Sequence, residues 1–187
     1  MEEKLEQRSR GLKKVVLFGP ESTGKTTLAR RLAAHFDTVW VPEYSRGFLQ
    51  KKWEEQRKIC GREDMLPIAY GQMALENSMA EAAKGLLICD TNLLESVVYS
   101  QIYFNGYCHP SLLKHALKAH YDLYLLTYID IPWVKDDLRD RPEHRDFMYA
   151  RFKKALEDHG LPYCIIKGEG QERFDLAVET IENLIGK

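Results

Sequence analysis

Residues 19–26 have the types and the spacing of a loop that binds a triphosphate. Gly19 and Gly24 allow backbone N–H groups to turn toward phosphate oxygens, and the helix expected to follow adds its positive end. Lys25 and Thr26 complete the Walker A spacing, in which the ammonium reaches the outer phosphates and the hydroxyl binds Mg²⁺. A nucleoside triphosphate, ATP or GTP, is therefore expected with Mg²⁺. The predicted nucleotide-binding residues are Gly19, Glu21, Ser22, Thr23, Gly24, Lys25, Thr26 and Thr27.

Asp90 is a candidate metal-binding carboxylate. It ends the apolar run 85–90, which is typical of a buried parallel strand that delivers its last residue to the carboxyl edge of a sheet. P-loop proteins place an acidic residue there, close to the Mg²⁺ ligand Thr26. Asp90 would then bind the metal through water or act as a base. The alternative is a helix N-cap, because a helical pattern begins just after it.

Glu43 follows the second expected strand and should face the same edge of the sheet. A carboxylate there could accept a hydrogen bond from a substrate hydroxyl and take its proton, and Arg46 could bind a phosphate. Tyr44 lies beside them on the first turn of a helix. The alternative is that Glu43 only compensates the helix dipole while Arg46 forms a surface ion pair.

The segment 130–145 is polar, flanked by prolines and rich in arginine. Arg139, Arg141 and Arg145 suit a lid that closes over a triphosphate, because each guanidinium offers fixed donors to phosphoryl oxygens. Closure would also exclude water. Trp133 could stack on a flat ring in an acceptor pocket or belong to the core. The alternative for the whole segment is a solvated loop in which acidic residues neutralise the arginines, namely Asp136, Asp137 and Asp140.

Apolar runs and helical patterns alternate along the chain, which predicts how these residues are positioned. Strands are predicted at 15–18, 38–41, 85–90, 123–128 and 163–166. Helices are predicted at 26–36, 43–56, 65–83, 92–104, 111–120, 147–159 and 173–185. Right-handed crossovers then give a three-layer α/β fold of the P-loop NTPase type: a five-stranded parallel sheet with helices on both faces.

Length and composition restrict the functional classes. The 187 residues fit one domain at 13–187 with a flexible segment at 1–12. The 27 basic and 28 acidic residues argue against nucleic acid and anionic membranes, and favour a small-molecule partner. Four cysteines without a C-x-x-C pair indicate reduced thiols, and there is no apolar run of about 20 residues for a membrane span. These features predict a cytoplasmic protein whose oligomeric state is left open.

Four motifs together resemble the NadR-like nicotinamide riboside kinase domain: GPESTGKTTLA, PEYSRGFL, CDTN and DIPWVKDDLRDRPEHR. The resemblance extends from Val15 to about Gly168. It implies a nucleoside-kinase-like fold with an arginine-rich lid, and transfer of phosphate from ATP to the 5'-hydroxyl of nicotinamide riboside, giving nicotinamide mononucleotide for NAD salvage. The adenylyltransferase and DNA-binding parts of larger family members are not expected within this chain.

The resemblance also implies roles for particular residues. Lys25 and Thr26 would contact phosphate and Mg²⁺, Asp90 would serve as metal ligand or base, and Glu43 would lie on the acceptor side with Tyr44 and Arg46. Further substrate-pocket and lid residues would be Gln72, Asn92, Trp133, Asp136 and Arg139. Apart from the resemblance, Arg46, Arg139 and Arg145 are expected to neutralise the charge that develops during phosphate transfer.

Two other functions fit the same motifs. A kinase for another nucleoside or small alcohol would share the Walker A loop and the lid, because neither selects the acceptor. A regulatory nucleotide-binding module would bind ATP without a small acceptor.

Overall fold

The computed structural model describes residues 2–8, 11–134 and 142–186. A five-stranded sheet forms its centre, with the order β2-β3-β1-β4-β5 and every neighbouring pair parallel. The strands are β1 Lys13–Phe18, β2 Trp40–Val41, β3 Leu86–Cys89, β4 Leu123–Thr127 and β5 Tyr163–Ile166. The predicted five-stranded parallel sheet is confirmed.

Helices connect successive strands and follow the last one. They are α1 Lys25–His35, α2 Tyr44–Gln56, α3 Met65–Ala82, α4 Leu93–Tyr103, α5 Pro110–Lys118, α6 Arg145–Asp158 and α7 Gly170–Ile185. Short 3₁₀ turns occur at Glu2–Leu5, Arg62–Asp64 and Pro142–His144. Each predicted helix is present, and the observed ends lie within three residues of the predicted ends.

The sheet is apolar on both faces because both are covered by helices. Alternate residues of β1 point to opposite sides. Val16 and Phe18 pack with α3, α4, α5 and α6, where Phe18 makes an edge contact with Tyr124 at 5.5 Å between ring centroids. Val15 and Leu17 pack with α1 and α7. The three-layer prediction is confirmed.

The register of the strands brings three chain segments to one edge. Val16 of β1 pairs with Cys89 of β3, which in turn pairs with Val41 of β2. The loop after β1, the residue after β3 and the residues after β2 therefore leave the sheet side by side at its carboxyl end. This is where parallel α/β sheets bind ligands.

Residues 2–8 differ from the expected flexible segment. Leu5 is 1% exposed and packs in the core on the side of α3, α4 and α5. Gln7 donates a 2.7 Å hydrogen bond to Glu76, and Glu2 forms an ion pair with Lys114 at 2.9 Å. The segment packs against the domain because its one large apolar side chain has a buried place to occupy. Because the residues around Leu5 are mostly charged, the sequence pattern does not indicate that Leu5 is buried.

Strand β2 is shorter than predicted, with two residues instead of four. The hydroxyl of Thr38 bonds to the carbonyl of Leu86, so side-chain hydrogen bonding replaces a regular ladder there. Within the described ranges, none of the helices is long and apolar enough to cross a membrane.

Candidate functional site

The loop between β1 and α1 has the backbone shape of a phosphate cradle. Gly19 has φ +146° and Gly24 has φ +76°, both in the region that favours glycine. A Cβ at Gly19 would lie 2.6 Å from the hydroxyl oxygen of Thr127, so β4 packs directly against the loop. The Thr23 hydroxyl bonds to Pro20 and Thr127 at 2.9 and 2.7 Å. These contacts hold the loop in place. The N-terminal end of α1, which follows the loop, remains open to an anion.

Lys25 is buried at the base of this cradle. Its ammonium donates to the carbonyl of Gly19 at 2.6 Å and lies 3.3 Å from Glu95 Oε1. Burial by itself lowers the pKa of Lys25, but the negative charges of Glu95, Glu43 and Asp90 raise it above its usual value. The lysine is therefore a permanent cation placed to meet phosphate oxygens.

Asp90 faces Thr26 across the edge of the sheet. The Thr26 hydroxyl donates a 2.6 Å hydrogen bond to Asp90 Oδ2, and Asp90 is 1% exposed. The pKa of Asp90 is raised to about 6, because burial outweighs the Thr26 hydrogen bond and the Lys25 charge, which lower it. The N-cap of α4 is Asn92, so Asp90 does not have the capping role that was its alternative.

A magnesium ion fits the chemistry of this pair. The described residues contain no cluster of three or more His, Cys, Asp or Glu that could hold a metal by protein ligands alone. Mg²⁺ in triphosphate sites takes few protein oxygens and completes its shell with phosphates and water. Asp90 Oδ1 is buried and has no hydrogen-bond partner among the described residues, so together with Thr26 it offers the oxygens such an ion needs.

Glu43 occupies the N-cap position of α2, with an extended backbone at φ −70° and ψ 111°. It is half-buried, and Ser45 donates a hydrogen bond to its Oε1. Its negative charge raises the pKa of both Asp90 and Glu95. Glu43, Asp90 and Glu95 therefore form one acidic cluster around Lys25.

A cavity of about 360 Å³ extends from the phosphate loop into the space between α2, α3 and α4. Its loop end is lined by residues 21–27, which include seven of the eight predicted nucleotide-binding residues. Glu43, Arg46 and Glu95 lie along its wall. Four aromatic side chains also line it: Trp53, Tyr99, Tyr103 and Phe104. The cavity thus joins an anion site to a partly aromatic compartment with carboxylates between them.

Tyr44 lies apart from this cavity. It is 38% exposed, and its ring packs against Gly71, where a Cβ would lie 2.1 Å from the ring. Gln72 lines the cavity, but its side-chain amide is engaged: Oε1 accepts from Tyr44 N at 2.8 Å and Nε2 donates to Pro42 O at 3.2 Å. Both residues support the start of α2, and therefore the position of Glu43.

Asn92 is 1% exposed and is the N-cap of α4. Its Oδ1 accepts from Glu95 N at 3.1 Å, and its Nδ2 donates to the Tyr124 hydroxyl at 3.1 Å. It fixes the first turn of the helix that carries Glu95.

Arg145 connects the arginine-rich segment to the phosphate loop. It is the first residue of α6 and donates to the carbonyl of Ser22 at 3.3 Å. Its guanidinium carbon lies 5.8 Å from the ring centroid of Trp133, and burial lowers the pKa of the guanidinium. Val134 N donates to Ser22 Oγ at 2.8 Å. Asp136 and Arg139, also predicted here, lie outside the described residues.

Sequence reasoning missed two residues of this region. Glu95 stands three positions after Asn92, a spacing typical of a capping box, and that pattern does not indicate an inward carboxylate. Arg173 of α7 is 3% exposed, donates to Thr23 O at 2.9 Å and pairs with Asp130 at 2.7 Å. It supports the phosphate loop from below. No local motif marks it, because its partners lie far away in the sequence.

The parallel sheet, the loop after β1 and the Lys25–Thr26–Asp90 arrangement define a P-loop nucleotide-binding domain of the α/β class. A family model described as AAA domain matches residues 14–173, and the chain belongs to this family.

Comparison with named proteins supports the resemblance that the sequence motifs indicate. The chain is 26% identical to the trifunctional NAD biosynthesis/regulator protein NadR of Escherichia coli (strain K12), over 92% of this chain and 43% of that protein. The chain therefore spans less than half the length of this curated relative. The resemblance to NadR inferred from the motifs is confirmed.

Solved structures show the same fold. A NadR protein in complex with NR has a TM-score of 0.78 at 24% identity, covering 95% of this chain and 52% of that one. A NadR protein in complex with NAD and AMP-PNP has a TM-score of 0.76 at 22% identity, covering 95% and 50%. Deoxyadenosine kinase from M. mycoides with bound dCTP has a TM-score of 0.61 at 11% identity, covering 91% and 99%. The fold is that of P-loop nucleoside kinases.

Proposed function

We propose that this chain transfers the γ-phosphate of ATP to the 5'-hydroxyl of nicotinamide riboside, giving nicotinamide mononucleotide for NAD salvage in the cytoplasm. The observation that carries the proposal is the single cavity lined by both Lys25 and Glu43. A cation for phosphate and a carboxylate for an acceptor line the same cavity. The similarity to NadR, one structure of which is in complex with NR, supports the choice of acceptor.

The nucleotide occupies the loop end of the cavity. Backbone N–H groups of the loop and the Lys25 ammonium bind the phosphates, and the ammonium exchanges its Gly19 carbonyl contact for phosphate oxygens. Thr26 and Asp90 would hold Mg²⁺, which would neutralise charge on the phosphates. Positioning and electrostatic stabilisation account for most of the rate in this type of reaction.

The nucleoside occupies the other end. Glu43 accepts a hydrogen bond from an acceptor hydroxyl, and Arg46 reaches the transferred phosphate. The nicotinamide ring of the substrate is a cation, and aromatic faces attract such a ring by about 1 kcal/mol each. Trp53, Tyr99, Tyr103 and Phe104 are the aromatic residues that line the cavity.

The arginine-rich segment 130–145 acts as a lid in this proposal. Arg145 contacts the loop at the carbonyl of Ser22, which places its guanidinium beside residues proposed to bind phosphate. Arg139 would supply a second guanidinium and Asp136 a substrate contact, although both lie outside the described residues, and Trp133 would contribute from the described part of the segment. Closure excludes water and limits hydrolysis of ATP.

A panel of nucleosides incubated with ATP and Mg²⁺ tests the proposal, with product mass and ADP release as readouts. Nicotinamide riboside should gain one phosphate, while adenosine, cytidine, uridine and thymidine gain far less. Phosphorylation of another nucleoside with nicotinamide riboside untouched would refute the assigned acceptor. ATP hydrolysis stimulated by a protein, with no phosphorylated small product, would instead support a regulatory module.

A further inference from the structure

Glu95 has no role in the proposed nucleotide site, yet it lies next to its key cation. It belongs to the first turn of α4 and is 3% exposed. Its Oε1 lies 3.3 Å from the Lys25 ammonium. Its Oε2 is buried and has no hydrogen-bond partner within the described part of the chain. Burying an unsatisfied carboxylate oxygen is costly, so a polar group supplied by a ligand would stabilise this arrangement.

The position of Lys25 locates Glu95 relative to the reaction. An ammonium that binds outer phosphates lies one hydrogen bond, about 3 Å, from their oxygens. The Glu95 carboxylate therefore lies within about 6 Å of any phosphate oxygen that Lys25 binds. The side chain also lines the cavity that continues toward the aromatic compartment. Glu95 thus lies on the wall of the cavity, close enough to the phosphate site for a hydroxyl that attacks the γ-phosphate to reach it.

The other two carboxylates of the cluster are engaged differently. Asp90 Oδ2 accepts from Thr26, the proposed Mg²⁺ ligand, which places Asp90 on the metal side. Glu43 Oε1 accepts from Ser45, and Glu43 is only half-buried. Glu95 combines a buried, unpartnered oxygen with a place on the cavity wall.

The electrostatic surroundings agree with proton transfer. The pKa of Glu95 is raised to about 8, because burial and the charges of Glu43 and Asp90 outweigh the lowering effect of Lys25. These groups face Glu95 from α2, from the end of β3 and from α1, and Tyr99 stands one turn along α4. A base with a pKa near the working pH transfers protons efficiently.

We propose that Glu95 is the carboxylate that binds the attacking hydroxyl of the acceptor and takes its proton. The hydroxyl oxygen forms a bond to the γ-phosphorus, the bond from that phosphorus to the β,γ-bridging oxygen breaks, and ADP leaves. The hydroxyl proton moves to Glu95 Oε2. Glu43 then orients the acceptor without receiving its proton. This inference rests on the proposed kinase function.

The test uses Glu95→Gln, which keeps size and removes the base. The matched control is Glu179→Gln on the exposed side of α7. We expect kcat with nicotinamide riboside to fall by about 100-fold or more, the range typical of a lost general base. The affinity for the ATP analogue AMP-PNP, measured by calorimetry, should stay near that of the wild type. The rising limb of kcat/KM with pH should disappear in Glu95→Gln and persist in Glu43→Gln.

A second variant guards against misfolding. Glu95→Asp keeps a charge near Lys25 but withdraws the oxygen from the cavity, and it should also lose kcat while retaining affinity for AMP-PNP. Loss of kcat together with an equal loss of nucleotide affinity in both variants would overturn the inference, because Glu95 would then act only through Lys25. Normal turnover by Glu95→Gln would overturn it too. Failure of the wild type to phosphorylate any nucleoside would overturn the kinase proposal itself.

Discussion

The hydroxyl of Thr26 donates a 2.6 Å hydrogen bond to Asp90 Oδ2 and so joins the phosphate loop after β1 to the end of β3. The two residues are 64 positions apart in sequence. Parallel pairing of β1 with β3 brings them together, because both strands end at the same edge of the sheet. The contact prepares two oxygens for a metal before any phosphate binds.

Replacing Lys25 by alanine should remove productive ATP binding. The ammonium is the buried cation of the loop and balances the charges of Glu95, Glu43 and Asp90. We expect kcat/KM for ATP to fall by about 100-fold or more, as when a transition-state donor is removed. Lys84→Ala is the control, since that exposed lysine pairs with Asp37. Magnesium-dependent nucleotide uptake by Lys25→Ala equal to that of the wild type would contradict the assigned site.

Asp90→Asn should change the response to magnesium. Its carboxylate is placed to hold the ion directly or through a water, and such partners typically contribute 10- to 100-fold to metal affinity. The Mg²⁺ concentration for half-maximal rate should rise by about tenfold or more. Glu43→Gln should lower the rate with the Mg²⁺ midpoint unchanged. Titration of activity with Mg²⁺ at saturating ATP measures the rate and the Mg²⁺ midpoint of each variant. Equal midpoints in Asp90→Asn and Glu43→Gln would contradict the assignment of Asp90 as a metal ligand.

The stability of the free protein should depend on the ionisation of Glu95. Its folded-state pKa of about 8 lies above the usual value of 4.5, so the folded state holds this proton more tightly than the unfolded chain. The resulting stabilisation is complete below about pH 4.5 and is lost as pH rises through about 8.

Glu95→Gln cannot lose that proton. Its melting temperature relative to the wild type should therefore increase between pH 5 and pH 9, by about 3 °C or more, which corresponds to roughly 1 kcal/mol for a chain of this size. Differential scanning calorimetry at several pH values measures the trend. Glu179→Gln should show a constant difference, and a constant difference for Glu95→Gln as well would contradict the prediction.

Leu5→Ala should destabilise the domain. A flexible N-terminal segment would tolerate this change, whereas a buried leucine loses packing worth about 2 kcal/mol or more. Leu117→Ala, at a position that is 44% exposed, serves as the control and should have a small effect. Chemical denaturation measures both free energies of unfolding. Equal stability of the two variants would restore the expectation that residues 1–12 are loosely attached.

Much of the fold could be predicted because its signals are local. The apolar run at 15–18 followed by the glycine-rich loop predicted β1, and the spacing of Leu28, Leu32 and Phe36 predicted α1. Element ends were less certain, as in β2, because side-chain hydrogen bonds such as that of Thr38 compete with the ladder. The burial of Leu5 was not predicted, because a single apolar residue among charged residues shows no periodicity.

Within the site, the sequence indicated residues but not the directions of their side chains. Tyr44 and Glu43 are neighbours in the chain, yet the first turn of α2 sends the tyrosine ring toward Gly71 and leaves the carboxylate on the cavity wall. Asn92 was expected in the substrate pocket, and in the structure it caps the N-terminus of α4. Such outcomes depend on which helix packs nearby.

The sequence by itself determined the class of the domain, its phosphate loop and its family, because backbone turns, strand patterns and the Walker A spacing act over a few residues. The sequence placed Asp90 near Thr26, but only the tertiary structure decided that Thr26 donates a hydrogen bond to Asp90 and that Glu95 meets Lys25. Those contacts join side chains more than 60 positions apart. Their geometry follows from strand register and helix packing, which no local pattern specifies.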